Sequence, residues 1–230
     1  MAQWQIDSKE YLTRLDLDMD GFKRELKLPK VEEVNKIIPL RDITAVQSII
    51  QINPELLLHL IKRVKTLDGQ FPFKYSTIHQ EVVNPNQLKI GQKYVYRENY
   101  SKILESMTEI FRSHTGEWEG LGNLGAYFVF GFNREGTYSM ACYIPPIIEI
   151  HGSKPLIMDG IHRNYIARPF RVTINALIIK NIDIPFPCSP KNWSEIQVIS
   201  LGDKPKNLED RYFDLKKNLF RDVKYLGIDG

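Results

Sequence analysis

The feature that most constrains the fold is a series of short apolar runs separated by turns, between residues 126 and 184. Two pairs of runs, at 126–144 and 147–159, are each interrupted by a short polar turn that contains glycine, which is typical of a β-hairpin. A further run at 172–184 has the β-branched composition of a strand. The prolines of the following PFPCSP segment exclude both a helix and a central strand. We therefore expect mostly antiparallel strands in this part of the chain.

The first quarter of the chain has helical periodicity instead. Apolar residues recur at helical spacing in 31–38 and again in 43–50, which predicts two short helices. Asn53 followed by Pro54 predicts the N-cap and first turn of a third helix, which continues towards Gly69.

The remaining segments alternate between irregular and helical patterns. Residues 70–92 are rich in Pro, Asn, Gln and aromatic residues, which predicts an irregular connector. Amphipathic helices are predicted at 100–112 and 208–225, and a short helix is predicted to begin near Asn192.

Helices and strands that are partly segregated along the chain predict an α+β fold. We expect an N-terminal helical segment at 1–69 and an α+β core domain at 70–230. The three N-terminal helices could instead form a helix-turn-helix, with Lys62, Arg63 and Lys65 on phosphates. Nearby acidic residues offset these charges, so a packed helical segment is the preferred interpretation.

Cellular location is constrained by the absence of certain patterns. No run of about 18 apolar residues is present, so we expect no membrane partner. The acidic start of the chain does not resemble a secretory signal, and Cys142 and Cys188 are too few for a disulfide scaffold. We therefore expect a cytoplasmic protein with reduced thiols.

The net charge of +3 is unevenly distributed along the chain. Residues 151–180 contain five Lys and Arg residues against the single acid Asp159, whereas the rest of the chain is close to neutral. An anionic partner is therefore expected to bind within this window.

The motif GLGNLG at 120–125 has the glycine spacing of a dinucleotide-binding loop. Such a loop follows a strand and begins a helix, whereas this one is predicted to follow a helix and precede a strand. A glycine-rich connector, able to approach a ligand closely or to act as a lid, is the preferred interpretation.

A stronger motif is PLIMDGIHRNYIA at 155–167, in which an apolar strand leads into a tight turn and then a short helix. Gly160 permits the turn, and the first N–H groups of the helix are available to an anion. Arg163 can hold a phosphate through two hydrogen bonds, and His162 can donate to an oxygen or move a proton near neutral pH. In the alternative interpretation, Asp159 caps the helix and Arg163 pairs with a surface carboxylate.

The sequence Asp159-Gly160-Ile161-His162-Arg163, between a strand and a helix, resembles the DGxHR box of the ParB/sulfiredoxin superfamily, in particular its DGQHR branch with the DndB-type proteins. The resemblance covers about 40 residues and implies a mixed-sheet core that binds nucleotide phosphates at this turn. It implies a cofactor-binding role for all five residues, with Gly160, His162 and Arg163 on the phosphates and Asp159 shaping the turn.

Departures from the family pattern narrow what the resemblance implies. Ile161 stands where sulfiredoxins have cysteine, which argues against sulfinic acid reductase chemistry. The DGQHR branch has glutamine at the same position, and Ile161 cannot replace its polar function. The Glu-Arg-Arg sequence of the CTP-binding partition proteins is also absent from this turn.

Two residues are candidates for catalysis, Glu149 on the preceding strand and His162 in the box. Glu149 alternates with His151 along the strand, so the two are expected to share a face. A carboxylate near phosphates could act as a base or hold Mg²⁺, and a solvated surface position is the alternative. The leading hypothesis is a protein that binds ATP or a similar nucleotide, or another phosphorylated small molecule, with NTP hydrolysis or phosphotransfer as its activity.

Two other functions stay open. A DNA-binding regulator or nuclease-like module would use Arg168 and Arg171 on backbone phosphates, and it requires a continuous basic stripe that extends beyond the box. A non-enzymatic interaction protein is the third hypothesis. An enzyme, by contrast, requires a carboxylate within reach of the phosphates.

Overall fold

The hairpins expected between residues 126 and 159 are both present in the computed structural model, which describes residues 5–18, 20–21, 34, 36–100 and 125–226. The strands are β1 Ile6–Asp7, β2 Lys36–Ile37, β3 Ile43–Gln51, β4 Thr77–Val83, β5 Tyr94–Tyr96, β6 Tyr127–Asn133, β7 Tyr138–Tyr143, β8 Ile147–His151, β9 Lys154–Ile157, β10 Ile174–Lys180 and β11 Gln197–Ile199. The helices are α1 Ser8–Leu15, α2 Pro54–Lys62 and α3 Ile161–Ala167, and residues 97–100 are also helical. Short 3₁₀ helices occupy Leu40–Asp42, Pro85–Gln87, Trp193–Glu195, Leu201–Asp203, Glu209–Arg211, Lys217–Leu219 and Val223–Leu226.

Two predicted features fall largely on residues that the structure does not describe. The helix predicted at 100–112 lies outside the described residues after Tyr100, and the GLGNLG motif lies outside them before Gly125.

Tertiary contacts divide the chain into two units. Unit 1 comprises Met1–Val64, Gly125–Ile144 and Val223–Gly230, and unit 2 comprises Lys65–Leu124 and Pro145–Asp222. The predicted division at residue 69 lies close to the first crossing between units, but both units are built from segments distant in sequence. Each unit contains helices and mixed β-sheet, so the α+β class is confirmed.

Unit 1 is built on a five-stranded sheet in the order β1-β2-β7-β6-β3. All its strand pairs are antiparallel except β2 with β7. Gly131 on β6 lies opposite a bulged part of β3, where a Cβ atom would clash with the carbonyl oxygen of Ala45. Glycine is therefore required at this close approach of two backbones.

The third N-terminal helix is confirmed as α2. The Asn53 side chain accepts a hydrogen bond from the Leu56 N–H at 2.8 Å, and Pro54 occupies the first turn. The helix ends at Lys62 rather than near Gly69, and its Leu60 and Ile61 side chains are fully buried.

The helix predicted at 43–50 is wrong, and the helix predicted at 31–38 is wrong at 36–37, whereas residues 31–33 and 35 lie outside the described residues. Residues 36–37 and 43–51 are strands, so the N-terminal segment is not wholly helical and the helix-turn-helix alternative is wrong as well. Five of the nine residues of β3 are β-branched, a composition that favours a strand. Because β3 lies at the sheet edge and contains bulges, its burial does not alternate regularly, and its apolar residues coincide with helical spacing.

Unit 2 contains a four-stranded sheet in the order β4-β10-β8-β9 and a two-stranded parallel sheet of β5 and β11. β10 is antiparallel to β4 and parallel to β8, and β8 forms an antiparallel hairpin with β9. A core cluster packs these sheets against α3. It contains Leu88, Ile90, Val95, Ile148, Ile157, Ile161, Ala176, Ile178 and Trp193.

Three further predictions in unit 2 need correction. The segment 70–92, predicted to be irregular, contains the edge strand β4, whose mostly exposed side chains give no apolar alternation. The helix predicted near Asn192 is a single 3₁₀ turn followed by β11. The helix predicted at 208–225 is replaced by 3₁₀ turns, because residues 218–222 bond to residues 65–68 through their backbone.

Candidate functional site

The predicted strand–turn–helix around the DGIHR box is present in unit 2. Gly152, with φ +59°, begins the two-residue turn that joins β8 to β9, and the two strands pair from Ile148 to Ile157. The chain leaves β9 with the N–H of Met158 bonded to the carbonyl of Ile147 at 2.8 Å. These bonds attach the start of the box to the neighbouring strand.

Gly160 makes the turn into α3 and has φ +82°, in the left-handed region that favours glycine. A Cβ atom at this position would lie 2.8 Å from the Pro146 ring and 3.0 Å from Arg163 Nη2. The glycine predicted from the sequence is therefore required both by backbone conformation and by space.

Asp159 and Arg163 form an ion pair across the first turn of α3. Arg163 Nη2 donates to Asp159 Oδ2 at 2.7 Å, and the exposed side-chain fractions are 13% for the arginine and 1% for the aspartate. Asp159 Oδ1 is buried and meets hydrogen-bond geometry with none of the described residues. Burial raises the pKa of the Asp159 carboxyl, although the Arg163 guanidinium and the nearby N–H of Gly160 act in the opposite direction.

His162 lies on the inner side of the turn. Its Nε2 accepts a hydrogen bond from the backbone N–H of Tyr96 at 3.1 Å, and the two rings are 5.7 Å apart. Because an amide N–H can only donate, this ring nitrogen carries no proton in the bonded state. Ile161 is also buried, in the core cluster, so its side chain anchors the helix and only its backbone could contact a ligand.

Glu149 is fully buried and forms a bidentate ion pair with Arg221. The two carboxylate oxygens accept from Arg221 Nε and Nη2 at 2.8 and 3.0 Å. His151 Nε2 lies 3.3 Å from Glu149 Oε2, which confirms that the two residues share a face of β8. The solvated position considered as an alternative for Glu149 is wrong.

Arg221 is the buried charge that sequence reasoning missed. Its guanidinium also donates to the carbonyls of Leu219, Ile184 and Pro185 at 2.6–3.1 Å, so it joins three separate segments of unit 2. No local pattern marks this role, because the residue lies 72 positions from Glu149 and in a segment predicted to be helical.

Cys188 lies close to this cluster but is not a candidate nucleophile. Burial, with a smaller effect of Glu149, raises the pKa of its thiol to about 12. A thiol needs a lowered pKa to react as a thiolate near neutral pH. A Cβ atom on Gly91 would clash with its Sγ, so the sulfur is closely packed against the backbone.

Arg168 and Arg171 lie at the other end of α3. The Arg168 guanidinium carbon lies 4.4 Å from the centre of the Trp193 ring, and its Nε donates to Asn86 Oδ1 at 3.2 Å. Arg171 is exposed and has φ +54°. Neither residue contacts the Asp159–Arg163 pair in the hydrogen bonds and ion pairs of the described chain.

The residues around the box do not fit a magnesium ion. Both oxygens of Glu149 already accept from a guanidinium, whereas Mg²⁺ is held through carboxylates whose oxygens are available. Within the described ranges, no group of three His, Cys, Asp or Glu side chains is placed to hold a metal.

A separate cavity of about 260 Å³ lies elsewhere in unit 2. Phe71, Tyr75, Asn181 and Asp183 are among its lining residues, and none of the box residues lines it. The predicted site residues are therefore grouped at the two ends of α3 and on β8, not in this cavity.

Comparison with known proteins identifies no relative, since no family model, curated protein or solved structure matches the chain. None of the helices within the described residues is both long enough and apolar enough to cross a membrane.

Proposed function

We propose that unit 2 binds a phosphate-bearing ligand of the nucleotide class at the DGIHR turn, within a ParB/sulfiredoxin-like core. The observation that carries this proposal is the Asp159–Arg163 pair, in which a buried carboxylate holds a guanidinium that still reaches the surface. An arginine held in this way keeps a fixed orientation, and its planar guanidinium matches the geometry of phosphate oxygens.

The backbone at the turn supports the same ligand class. Gly160 carries no side chain, so a ligand can approach the peptide between Asp159 and Ile161 closely. α3 is only seven residues long, so its dipole adds little, and the Arg163 guanidinium is the cation that the turn offers to a phosphate, with its charge partly offset by Asp159. The proposal therefore predicts that binding depends strongly on this one side chain.

The contacts of Glu149 and His162 favour binding over hydrolysis. Both oxygens of Glu149 accept from Arg221, and His162 Nε2 accepts from a backbone N–H. A general base needs a lone pair within reach of the proton that it removes. The catalytic roles of these two residues stay predictions, because His162 anchors the turn to Tyr96 and Glu149 holds Arg221.

The test is thermal unfolding with ATP, ADP, GTP, CTP and inorganic phosphate, each with and without Mg²⁺. A ligand at about 100 times its Kd stabilises the folded state by about 2.7 kcal/mol, which raises the melting temperature by several degrees. We expect at least one nucleotide to produce this shift, and Arg163→Ala to abolish it.

Two variants separate loss of binding from loss of folding. Asp159→Asn combined with Arg163→Gln keeps a buried polar pair without charge, and it should fold but show no shift. Arg14→Ala is the matched control, because Arg14 also pairs with an acid four residues away, in unit 1. Absence of any nucleotide shift, or a full shift in Arg163→Ala, would overturn the proposal and favour the non-enzymatic interaction protein.

A further inference from the structure

The chain leaves α3 through a turn that places an exposed aromatic ring between two arginines. Val172 N–H bonds to the Ala167 carbonyl at 3.1 Å, and Arg171 N–H bonds to the Arg168 carbonyl at 3.0 Å. These two bonds form a Schellman motif, which normally has glycine at the position that Arg171 occupies. Phe170 lies just before it, with 74% of its surface exposed.

The backbone of Arg171 is strained, and its side chain makes no stabilising contact with the described residues. Its φ of +54° lies in the left-handed region, which non-glycine residues rarely adopt. Among the described residues its side chain has no hydrogen-bond or ion-pair partner, and residues 169–173 are all exposed. Strain of this kind, without a stabilising contact, points to a role outside the folded chain.

The exposed apolar surface at the turn is also unusual for a basic segment. Phe170 is joined by Val172, which is 45% exposed. A large exposed aromatic ring costs solvation free energy, and rings in this position commonly contact a partner.

Positive charge continues from the turn across unit 2 as a basic stripe of Arg171, Arg168, Lys89, Lys191 and Lys93. Arg168 stacks on Trp193, and Lys89 Nζ donates to the side chain of the adjacent Asn192 at 2.6 Å.

The far end of the stripe is also fixed by contacts. Lys191 and Lys93 lie 5.8 and 6.0 Å from the centre of the same Phe213 ring. The Lys191 ammonium is also 3.7 Å from Glu195, a long and exposed contact that neutralises it only weakly. The stripe extends beyond the DGIHR box, as a nucleic-acid interface requires.

We propose that the Phe170 turn and the basic stripe bind single-stranded nucleic acid. An exposed ring flanked by arginines can stack on an unpaired base, and a line of cations can follow the phosphate backbone. In duplex DNA the bases are already stacked, so the ring would have no base face available. This site uses the end of α3 opposite to the DGIHR turn and does not depend on the nucleotide proposal.

Fluorescence anisotropy with a labelled oligothymidylate of about 20 nucleotides tests the proposal, at about 50 and about 200 mM NaCl. We expect wild-type protein to bind and its affinity to fall with salt. Phe170→Ala should weaken binding about tenfold, the effect of losing one stacked base. Arg171→Gly should reduce the salt slope by about 0.7, because one phosphate contact is lost.

Arg171→Gly also separates function from folding, since glycine relieves the left-handed strain and should not lower the melting temperature. Tyr75→Ala is the matched control, because Tyr75 is 77% exposed and lies beside Lys74 but outside the stripe. It should leave affinity unchanged.

Three results would overturn the proposal. The first is no binding of the oligonucleotide, and the second is equal loss of affinity in Tyr75→Ala and Phe170→Ala. The third is binding to duplex DNA or to phosphatidylserine vesicles that exceeds binding to the single strand, which would indicate a different partner.

Discussion

At the scale of single residues, burial decides the role of the ionisable groups of unit 2 more than residue type does. Asp159, Glu149 and His162 are all nearly inaccessible to solvent, and each is held by a partner from the same unit. Burial of a charged group is tolerated only when such partners replace water. These residues therefore shape the turn and the sheet before they can serve any ligand.

The same burial makes a prediction for Cys188. With its pKa raised to about 12, very little of the thiol is ionised at pH 8. We expect iodoacetamide to label Cys188 slowly in the folded Cys142→Ala variant, and rapidly in urea. Because the thiolate is the reactive form, the labelling rate increases with pH until the thiol is fully ionised. Labelling of the folded protein should keep rising beyond pH 9, and a plateau near pH 9 would contradict the expected pKa.

At the scale of elements, Arg221 explains why the C-terminal segment is not a helix. The backbone of residues 218–222 bonds to residues 65–68, while the guanidinium reaches Glu149 on β8 and the carbonyls of Ile184 and Pro185. A helix at 208–225 could not make these backbone bonds. Tertiary contacts therefore override the amphipathic pattern.

A double-mutant cycle on Glu149 and Arg221 measures the interaction energy between these two side chains. Removing one partner of a buried pair leaves the other charge uncompensated, so Arg221→Met and Glu149→Leu should each lower the free energy of unfolding by about 3–5 kcal/mol. The double variant should lose at least about 2 kcal/mol less than the sum of the two, as measured by urea denaturation.

The exposed pair Lys217–Glu209, 2.8 Å apart, is the matched control for this cycle. Its coupling should be much smaller than that of the buried pair, because solvent screens exposed pairs. A coupling at Glu149–Arg221 as small as that of the control would show that the buried pair does not hold the segment.

At the scale of the whole molecule, three of the five basic residues in the window at 151–180 lie at the two ends of α3. One end carries the paired Arg163, and the other carries Arg168 and the strained Arg171. The basic window therefore contributes to two separate proposed sites, one for a small phosphate compound and one for a nucleic-acid strand that also uses lysines outside the window.

The raised pKa of Asp159 should affect how the free energy of unfolding of the protein depends on pH. Because the folded carboxyl has the higher pKa, the unfolded chain loses its proton first as the pH rises, and the contribution of this group to stability falls. Asp159→Asn cannot titrate. Relative to wild type, its free energy of unfolding should therefore increase between about pH 3 and about pH 7, measured by denaturation at several pH values.

Asp68 provides a control of opposite sign. Hydrogen bonds from Thr66 and Gln70 lower the pKa of its exposed carboxyl. Asp68→Asn should therefore lose stability relative to wild type as the pH rises over the same range. A flat difference for Asp159→Asn, or a change in the same direction for both variants, would contradict the assignment.

The sequence by itself determined the features that depend on neighbouring residues. These are the two hairpins, the Asn53 cap of α2 and the left-handed Gly160 between β9 and α3, because turn and cap chemistry acts over a few positions. The pairing of Arg163 with Asp159 was not predicted: the alternative interpretation gave Arg163 a surface carboxylate and made Asp159 the helix cap, whereas the structure pairs the two side chains with each other.

Only the tertiary structure decided the features that depend on distant partners. The edge position of β3, the bond from Tyr96 to His162 and the burial of Glu149 by Arg221 join segments separated by 66 to 88 residues in the described contacts. Such contacts leave no periodicity in the chain, because the free energy of burial and charge pairing depends on where segments meet in space.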